Sequence, residues 1–332
     1  MRAVVVMGGS AGALGVLRSV IAALPADFPL PVCVVLHIGR HPTRQADLLD
    51  RVAALRVVDA VDGTLPQAGT VYLAPPDRHL QLRGGRLHLS QGPRENFARP
   101  AIDPLFRSAA QGFGPGAVGV LLSGRLNDGS AGLYEIRQHG GVAVVQDPAT
   151  AGFPAMPSNA VAQVGYDHCV APEEMAPLLA SVASRLAAAP GPSRHAEPDA
   201  PSTQAWQPER PVTLTCPDCG GAMRREDSGN LVGYACHIGH RLSGEAMADG
   251  QAMLMEKHLE QVMRLANERA ELCRILATQA SGREDDASPD WARMASEAAA
   301  WRTVLEGLLG RHGGDSIGGA RGTAPDAGDQ SG

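Results

Sequence analysis

The sequence predicts an α/β fold: a doubly wound, mostly parallel sheet, followed by a small zinc-ribbon-like module and an α-helical region. Three observations carry this expectation. Short continuous apolar runs stand at 4–7, 32–36, 71–74, 117–122 and 142–145. Runs of that kind mark strands buried on both faces, as in parallel sheets. Helix-spaced segments separate several of them, and strands alternating with helices build a covered parallel sheet. Finally, Cys216, Cys219 and Cys236 cluster after a stretch rich in proline and alanine.

The elements follow in order. The run at 4–7 leads into Leu14, Leu17, Ile21 and Leu24, which recur at helical spacing. In the stretch 79–90, Leu80/Leu82 and Leu87/Leu89 alternate around Gly84-Gly85, a hairpin signal. A helix separates the runs at 117–122 and 142–145. Cys169-Val170 begins a last short strand, and a helix follows from 173 to about 186. The first domain is therefore expected over 1–186. Residues 187–211 lack periodicity and read as a flexible linker. The module spans 212–242. A long helix is expected from 243 to about 280, with Leu254, Leu259, Val262, Leu265, Leu272, Ile275 and Leu276 at spacings of three and four. A second, from about 289 to 310, carries Trp291, Met294, Leu305, Leu308 and Leu309, closing a helical region over 243–312. The Gly- and Asp-rich tail, 313–332, reads as disordered.

Composition narrows the function. A net charge of −6 and 4% aromatic residues do not suit a nucleic-acid-binding protein. Lys257 is the only lysine and lies in a polar helical stretch. A P-loop and a Schiff-base enzyme both need a lysine elsewhere. No run reaches 18 apolar residues, and the N-terminal run is too short for a signal peptide. The expectation is a cytoplasmic protein without membrane insertion.

Three polar residues stand just past the carboxyl ends of three apolar runs: Ser10, His37 and Asp128. Ligands bind at those ends in an open parallel sheet. A serine, a neutral histidine and a carboxylate are what nucleophilic acyl transfer requires. Gly8 and Gly9 permit a tight turn, placing Ser10 at or near the N-cap of the first helix. The N–H groups of Ala11 and Gly12 then form a candidate oxyanion site. A phosphate-binding turn is the competing reading, but the glycines do not match G-x-G-x-x-G. Singly, His37 is readable as a structural histidine and Asp128 as a helix cap; their joint placement favours the catalytic reading.

Residues 3 to about 185 resemble the catalytic domain of CheB-type chemotaxis protein-glutamate methylesterases. The resemblance rests on Gly9-Ser10-Ala11-Gly12, Leu36-His37, the stretch 71–79, the stretch 99–106, Leu122-Ser123-Gly124 with Asn127-Asp128-Gly129, and Ala155-Met156-Pro157. It implies a hydrolase of glutamyl methyl esters on chemoreceptor-like proteins, with glutamine deamidation as a second activity and no catalytic cofactor. Ser10, His37 and Asp128 would be its triad. Ala11, Ala13, Arg125 and Ser158 depart from residues common in the family, which bears on substrate preference. The family's two-part members carry a receiver domain before the catalytic one; here regulation by an attached receiver is not expected. The rival readings are a non-catalytic scaffold or sensory adaptor on the same fold, and a hydrolase of another ester or amide.

Two further sets complete the site expectations. Arg94 and Arg99, with Arg107 nearby, are candidate substrate-binding residues that would steer an acidic receptor helix; a solvated loop is the plainer alternative. Cys216, Cys219, Cys236 and His240 have the spacing of a structural Zn²⁺ site. His237 competes for the fourth place, although its adjacency to Cys236 makes joint chelation awkward. The amphipathic helices over 243–312 would dock a helical partner or self-associate.

Overall fold

The computed structural model describes residues 2–37, 44–188, 214–280 and 290–312. The linker stretch 189–211 and the tail 313–332 lie outside them. The elements of the first domain are β1 (Val4–Gly9), α1 (Ala13–Ala23), β2 (Val32–Leu36), α2 (Gln45–Asp50), β3 (Arg56–Asp59), β4 (Thr70–Leu73), β5 (His79–Arg83), β6 (Arg86–Ser90), α3 (Ile102–Phe113), β7 (Ala117–Leu121), α4 (Ser130–Gln138), β8 (Val142–Gln146), α5 (Ala155–Gln163), β9 (His168–Val170) and α6 (Pro172–Ala188). Seven strands form one sheet in the order β3-β4-β2-β1-β7-β8-β9. Every pairing in it is parallel. β5 and β6 make a separate antiparallel hairpin.

The residues of β1 explain the two-sided packing. Val5 and Met7 enter one apolar cluster with Leu17, Val20 and Ile21 of α1 and Met175, Leu179 and Val182 of α6. Val4 and Val6 enter a second cluster with Leu105 and Phe106 of α3, Leu133 and Ile136 of α4, and Met156 of α5. A strand with helices on both faces has no wet side, hence its continuous apolar run.

Two elements carried little sequence signal. β3 is a four-residue edge strand with only Val57 buried. α5 occupies a stretch that reads as a loop near the site, because Pro157 interrupts its pattern; Pro157 falls in the first turn, where a missing N–H is tolerated.

The sheet order fixes where the site must be. β1 is the central strand from which the chain moves outward in both directions. Its end is level with those of its neighbours: Gly9 pairs with Leu36 of β2, and Gly8 with Leu121 of β7. That is a topological switch point, the crevice where doubly wound sheets bind ligands.

Beyond the first domain, a second three-stranded sheet comprises β10 (Met223–Arg225), β11 (Gly233–Cys236) and β12 (Arg241–Ser243), all antiparallel. α7 (Gly244–Ala280) and α8 (Trp291–His312) complete the chain. The described residues up to Asp249 form one compact unit and those from Gly250 onward another. In the second unit Ala270, Cys273, Ala298 and Leu305 are buried, while Met253, Leu265, Leu272, Trp301 and Val304 are exposed. Among the described residues no helix is long and apolar enough to cross a membrane.

The close approach of α3 and α4 depends on Gly132. A Cβ there would sit 2.4 Å from the Phe106 Cβ and 3.1 Å from the Asp103 carbonyl oxygen. Helix propensity alone predicts that Gly132→Ala stabilises by up to about 1 kcal/mol. Overpacking predicts the opposite sign, a loss of about 1–3 kcal/mol. We expect the loss, read as a lower denaturant midpoint; a raised midpoint would contradict this packing.

Candidate active site

Backbone hydrogen bonds extend the sheet past its strand ends and set the loops in place. Leu122 N–H donates to Gly8 O at 2.8 Å, Ser10 N–H to Ser123 O at 2.9 Å, and His37 N–H to Gly9 O at 3.1 Å. Ser10 and His37 are thus tied to the sheet by their own backbones. The side chains then line up. Ser10 Oγ lies 3.1 Å from His37 Nδ1, and His37 Nε2 lies 2.6 Å from Asp128 Oδ2.

Asp128 is 2% exposed. Besides His37, four donors reach it: Ile102 N–H at 2.7 Å, Gly129 N–H at 3.0 Å, the Asn96 amide at 3.1 Å and Asp103 N–H at 3.3 Å. Burial alone would raise its pKa. The hydrogen bond and charge of His37, the Ile102 N–H and the Asn96 amide outweigh burial and lower it to about 2. Asp103 beside it shifts the other way, well above the ordinary carboxylate range, through burial and the Asp128 charge. The two carboxyls are thus set apart, with Asp128 the one favoured in its ionised form.

The helix after Ser10 begins later than the sequence suggested. Its N-cap is Gly12, in the left-handed region at φ 76°, and not Ser10. A Cβ at Gly12 would also meet Ser123 Oγ at 2.9 Å. The N–H groups of Ala11 and Gly12 have no partner among the described residues. Ser123 braces this turn. Its hydroxyl donates to Ala11 O at 2.8 Å and accepts from Phe153 N–H at 3.0 Å. Arg125 lies 5.2 Å over the Phe153 ring, so this residue is engaged in a cation–π contact.

The arginines differ in their surroundings. Arg99 donates to Asp77 Oδ1 and to the carbonyls of Gln91 and Gly92, so its guanidinium holds its own loop. Arg107 Nη2 donates to both Glu95 carboxylate oxygens, at 2.6 Å each. Arg94 is half-buried, and its carbonyl accepts from Arg241 N–H. Sequence reasoning missed Asn96, Ser123 and His79. His79 accepts from Ala101 N–H on Nδ1 and donates from Nε2 to Pro93 O at 2.9 Å, pinning both ends of the loop that carries Asn96. Burial lowers its pKa.

Comparison with known proteins fits this geometry. The family model for the CheB methylesterase matches residues 5–179. The chain belongs to the CheB methylesterase family. A relative from Leptospira interrogans is 35% identical over 177 residues, which is 53% of this chain and 92% of that protein. "Protein-glutamate methylesterase/protein-glutamine glutaminase 1" of Cupriavidus pinatubonensis is 37% identical over 56% of this chain and 55% of its own length. "Protein-glutamate methylesterase FrzG" of Myxococcus xanthus is 39% identical over 51% of each. The chain thus spans about half the length of the last two. The crystal structure of the Thermotoga maritima CheB methylesterase catalytic domain superposes with a TM-score of 0.53 at 29% identity, covering 55% of this chain and 99% of that one.

The C-terminal extension lies outside the matched CheB region and contains a second cluster. The Sγ atoms of Cys216, Cys219 and Cys236 and a ring nitrogen of His240 all lie within 4.8 Å of one another. Cys219 Sγ is 3.7 Å from Cys236 Sγ; His240 Nδ1 is 3.7 Å from Cys216 Sγ and 3.5 Å from Cys236 Sγ. His237 is exposed and outside this group.

The depressed pKa of Asp128 gives a pH test. Its ionised form is favoured in the folded chain, so its contribution is fully present above the ordinary value of 3.8 and fades as pH falls towards 2. Asp128→Asn puts an amide against N–H donors and should be destabilised at neutral pH. We expect the stability gap to wild type to be constant above about pH 4 and to narrow below it, in denaturant titrations across that range. A gap that does not change with pH would contradict the assignment.

Proposed function

We propose that this chain is a serine hydrolase that removes methyl esters from glutamate side chains of chemoreceptor-like proteins, with Ser10, His37 and Asp128 as its catalytic triad. The continuous Ser10–His37–Asp128 hydrogen-bond line at the sheet's switch point carries this reading. Asp128, held ionised, accepts from His37 Nε2–H and so leaves Nδ1 bare towards Ser10. Ser10 Oγ attacks the ester carbonyl as His37 Nδ1 takes its proton. The unpaired N–H groups of Ala11 and Gly12 receive the developing oxyanion. On collapse, His37 returns the proton to the departing methoxide, releasing methanol. Water, activated by the same nitrogen, then attacks the acyl-enzyme, freeing the glutamate carboxylate and restoring Ser10. A glutamine side chain would follow the same course with ammonia leaving, which is the deamidase reaction. Of the predicted substrate arginines, Arg94 is the one assigned to an acidic substrate, because Arg99 is spent on its own loop.

The Cys216, Cys219, Cys236 and His240 cluster we assign to one structural Zn²⁺. Tetrahedral zinc with Zn–S near 2.3 Å sets ligand atoms about 3.8 Å apart, close to the spacings of 3.5–3.7 Å. His240 Nε2 lies 3.2 Å from Asp218 Oδ2, the outer carboxylate partner that orients a metal-binding imidazole. Three short strands cannot bury a large core, so the ion would supply the module's stability. The reaction itself calls on no metal. The exposed Met253, Leu265, Leu272 and Trp301 suit contact with another helix, from a partner or a second copy.

Two measurements test these assignments. Ser10→Ala and His37→Ala should each lower methanol release from a methylated receptor by at least about 10³-fold while the chain stays folded. Near-wild-type rates in both variants would remove the triad. Elemental analysis should give about one Zn per chain, lost in the double variant Cys216→Ser/Cys219→Ser. A content near zero in protein purified without chelators would overturn the metal site.

A further inference from the structure

We propose that the Cys/His module is coupled to the active site through Asn96, a positioning residue whose amide is held by the module on one side and orients Asp128 on the other. The inference rests on the triad reading above.

The hydrogen bonds run without interruption from one site to the other. Asn96 Nδ2 donates to Asp128 Oδ1 at 3.1 Å and to Asp103 Oδ2 at 3.2 Å. Its Oδ1 accepts from Ser243 N–H of β12 at 2.9 Å, and its own N–H donates to Arg241 O at 2.8 Å. Every polar atom of the Asn96 amide therefore has a partner, and the partners belong to the two sites. Arg241 directly follows His240. Cys236 N–H donates to His240 O at 3.0 Å, closing the turn between β11 and β12. An ion bound by Cys236 and His240 would fix that turn, and with it the Arg241 and Ser243 backbone that grips Asn96.

Backbone conformation points the same way. Asn96 and Phe97 both have left-handed φ, at 49° and 60°. Asparagine adopts that region with some ease, but a bulky residue does so only when its surroundings demand it. Phe97 packs into the module's small core with Cys216, Met223, Cys236 and Leu242. In the opposite direction Leu231 of the module enters the core of the first domain with Tyr134 nearby. Between these contacts lies a cavity of about 590 Å³, lined by Asn96, Arg107, Ser130, Arg224 and Tyr234 among others. The contact is therefore not packed solid, and hydrogen bonds to the 94–96 backbone, to the Asn96 amide and from Asn127 to Glu245 cross it beside the Phe97 and Leu231 packing. A loosened module would let the loop relax. Asp128 would then lose its only side-chain amide donor among the described residues while remaining beside Asp103.

The linkage is reciprocal, so it has a readout that does not depend on activity. In the full chain, Asn96→Ala should bind Co²⁺, followed by its thiolate absorption, about tenfold more weakly than wild type. Asn96→Asp keeps an acceptor for Ser243 N–H but loses the donor to Asp128. It should retain near-wild-type Co²⁺ affinity. Both variants should lose about 10- to 100-fold in kcat on a glutamyl methyl ester peptide, with KM little changed. Removing the metal from wild type should lower kcat to a similar extent, and removing it from Asn96→Ala should add little. Equal Co²⁺ affinity in Asn96→Ala and wild type would overturn the coupling. So would an unchanged kcat in metal-free wild type, or equal losses on metal removal in both proteins. Failure of the triad reading would be recognised separately, by full activity in Ser10→Ala.

Discussion

A single buried carboxylate organises this site. Asp128 is sealed from solvent, yet its pKa lies near 2, so it keeps its charge where a bare carboxylate could not. It does so only because five donors converge on it, from the His37 ring, the Asn96 amide and the backbones of Ile102, Asp103 and Gly129. Each donor places a demand on the fold. The N–H groups of Ile102 and Asp103 are the unpaired first-turn donors of α3, aimed at the carboxylate as a helix N-terminus aims at an anion. Gly129, at φ 90°, turns the chain back beneath it. Asn96 arrives on a loop whose backbone is held in the left-handed region.

The parallel sheet brings these demands together. β1 lies between β2 and β7, so the loops after three strands open at one crevice. The level register of the strand ends sets Ser10, His37 and the Asp128 loop at one height. The apolar runs that fill both faces of the sheet thereby also fix the polar site, since a slip of one residue would turn every side chain to the other face. Asn96 reaches the Asp128 oxygen that His37 does not, and its own side-chain oxygen accepts from Ser243 N–H.

Much of this was legible in the sequence, and the reason is physical. Buried strands must be apolar throughout, so Ser10, His37 and Asp128 stand out as polar residues just past apolar runs. The parallel sheet followed from the same runs. Edge elements did not show, because β3 needs only one buried side chain and α5 starts through a proline. Nor did the N-cap at Gly12, since a left-handed glycine and a capping serine look alike from the pattern Gly8-Gly9-Ser10-Ala11-Gly12. Asn96 was invisible for another reason. Its partners Asp128 and Ser243 lie 32 and 147 residues away, and no local spacing encodes a contact of that range. Arg99 shows the same limit: a basic residue near a cleft suggests substrate contact, and no local spacing reveals that its guanidinium also donates to the Gln91 and Gly92 carbonyls of its own loop.

The account turns on which ring nitrogen of His37 carries the proton. Ser10 faces Nδ1 and Asp128 faces Nε2, so a neutral base must be the Nε2–H tautomer. The direct measurement is ¹⁵N NMR of His37 in the full chain at neutral pH. The account predicts a protonated Nε2, with its N–H proton shifted far downfield by the short bond to Asp128, and an unprotonated Nδ1. In Asp128→Asn that downfield signal should vanish. A neutral ring protonated at Nδ1 in wild type would contradict the account, because no lone pair would then face Ser10.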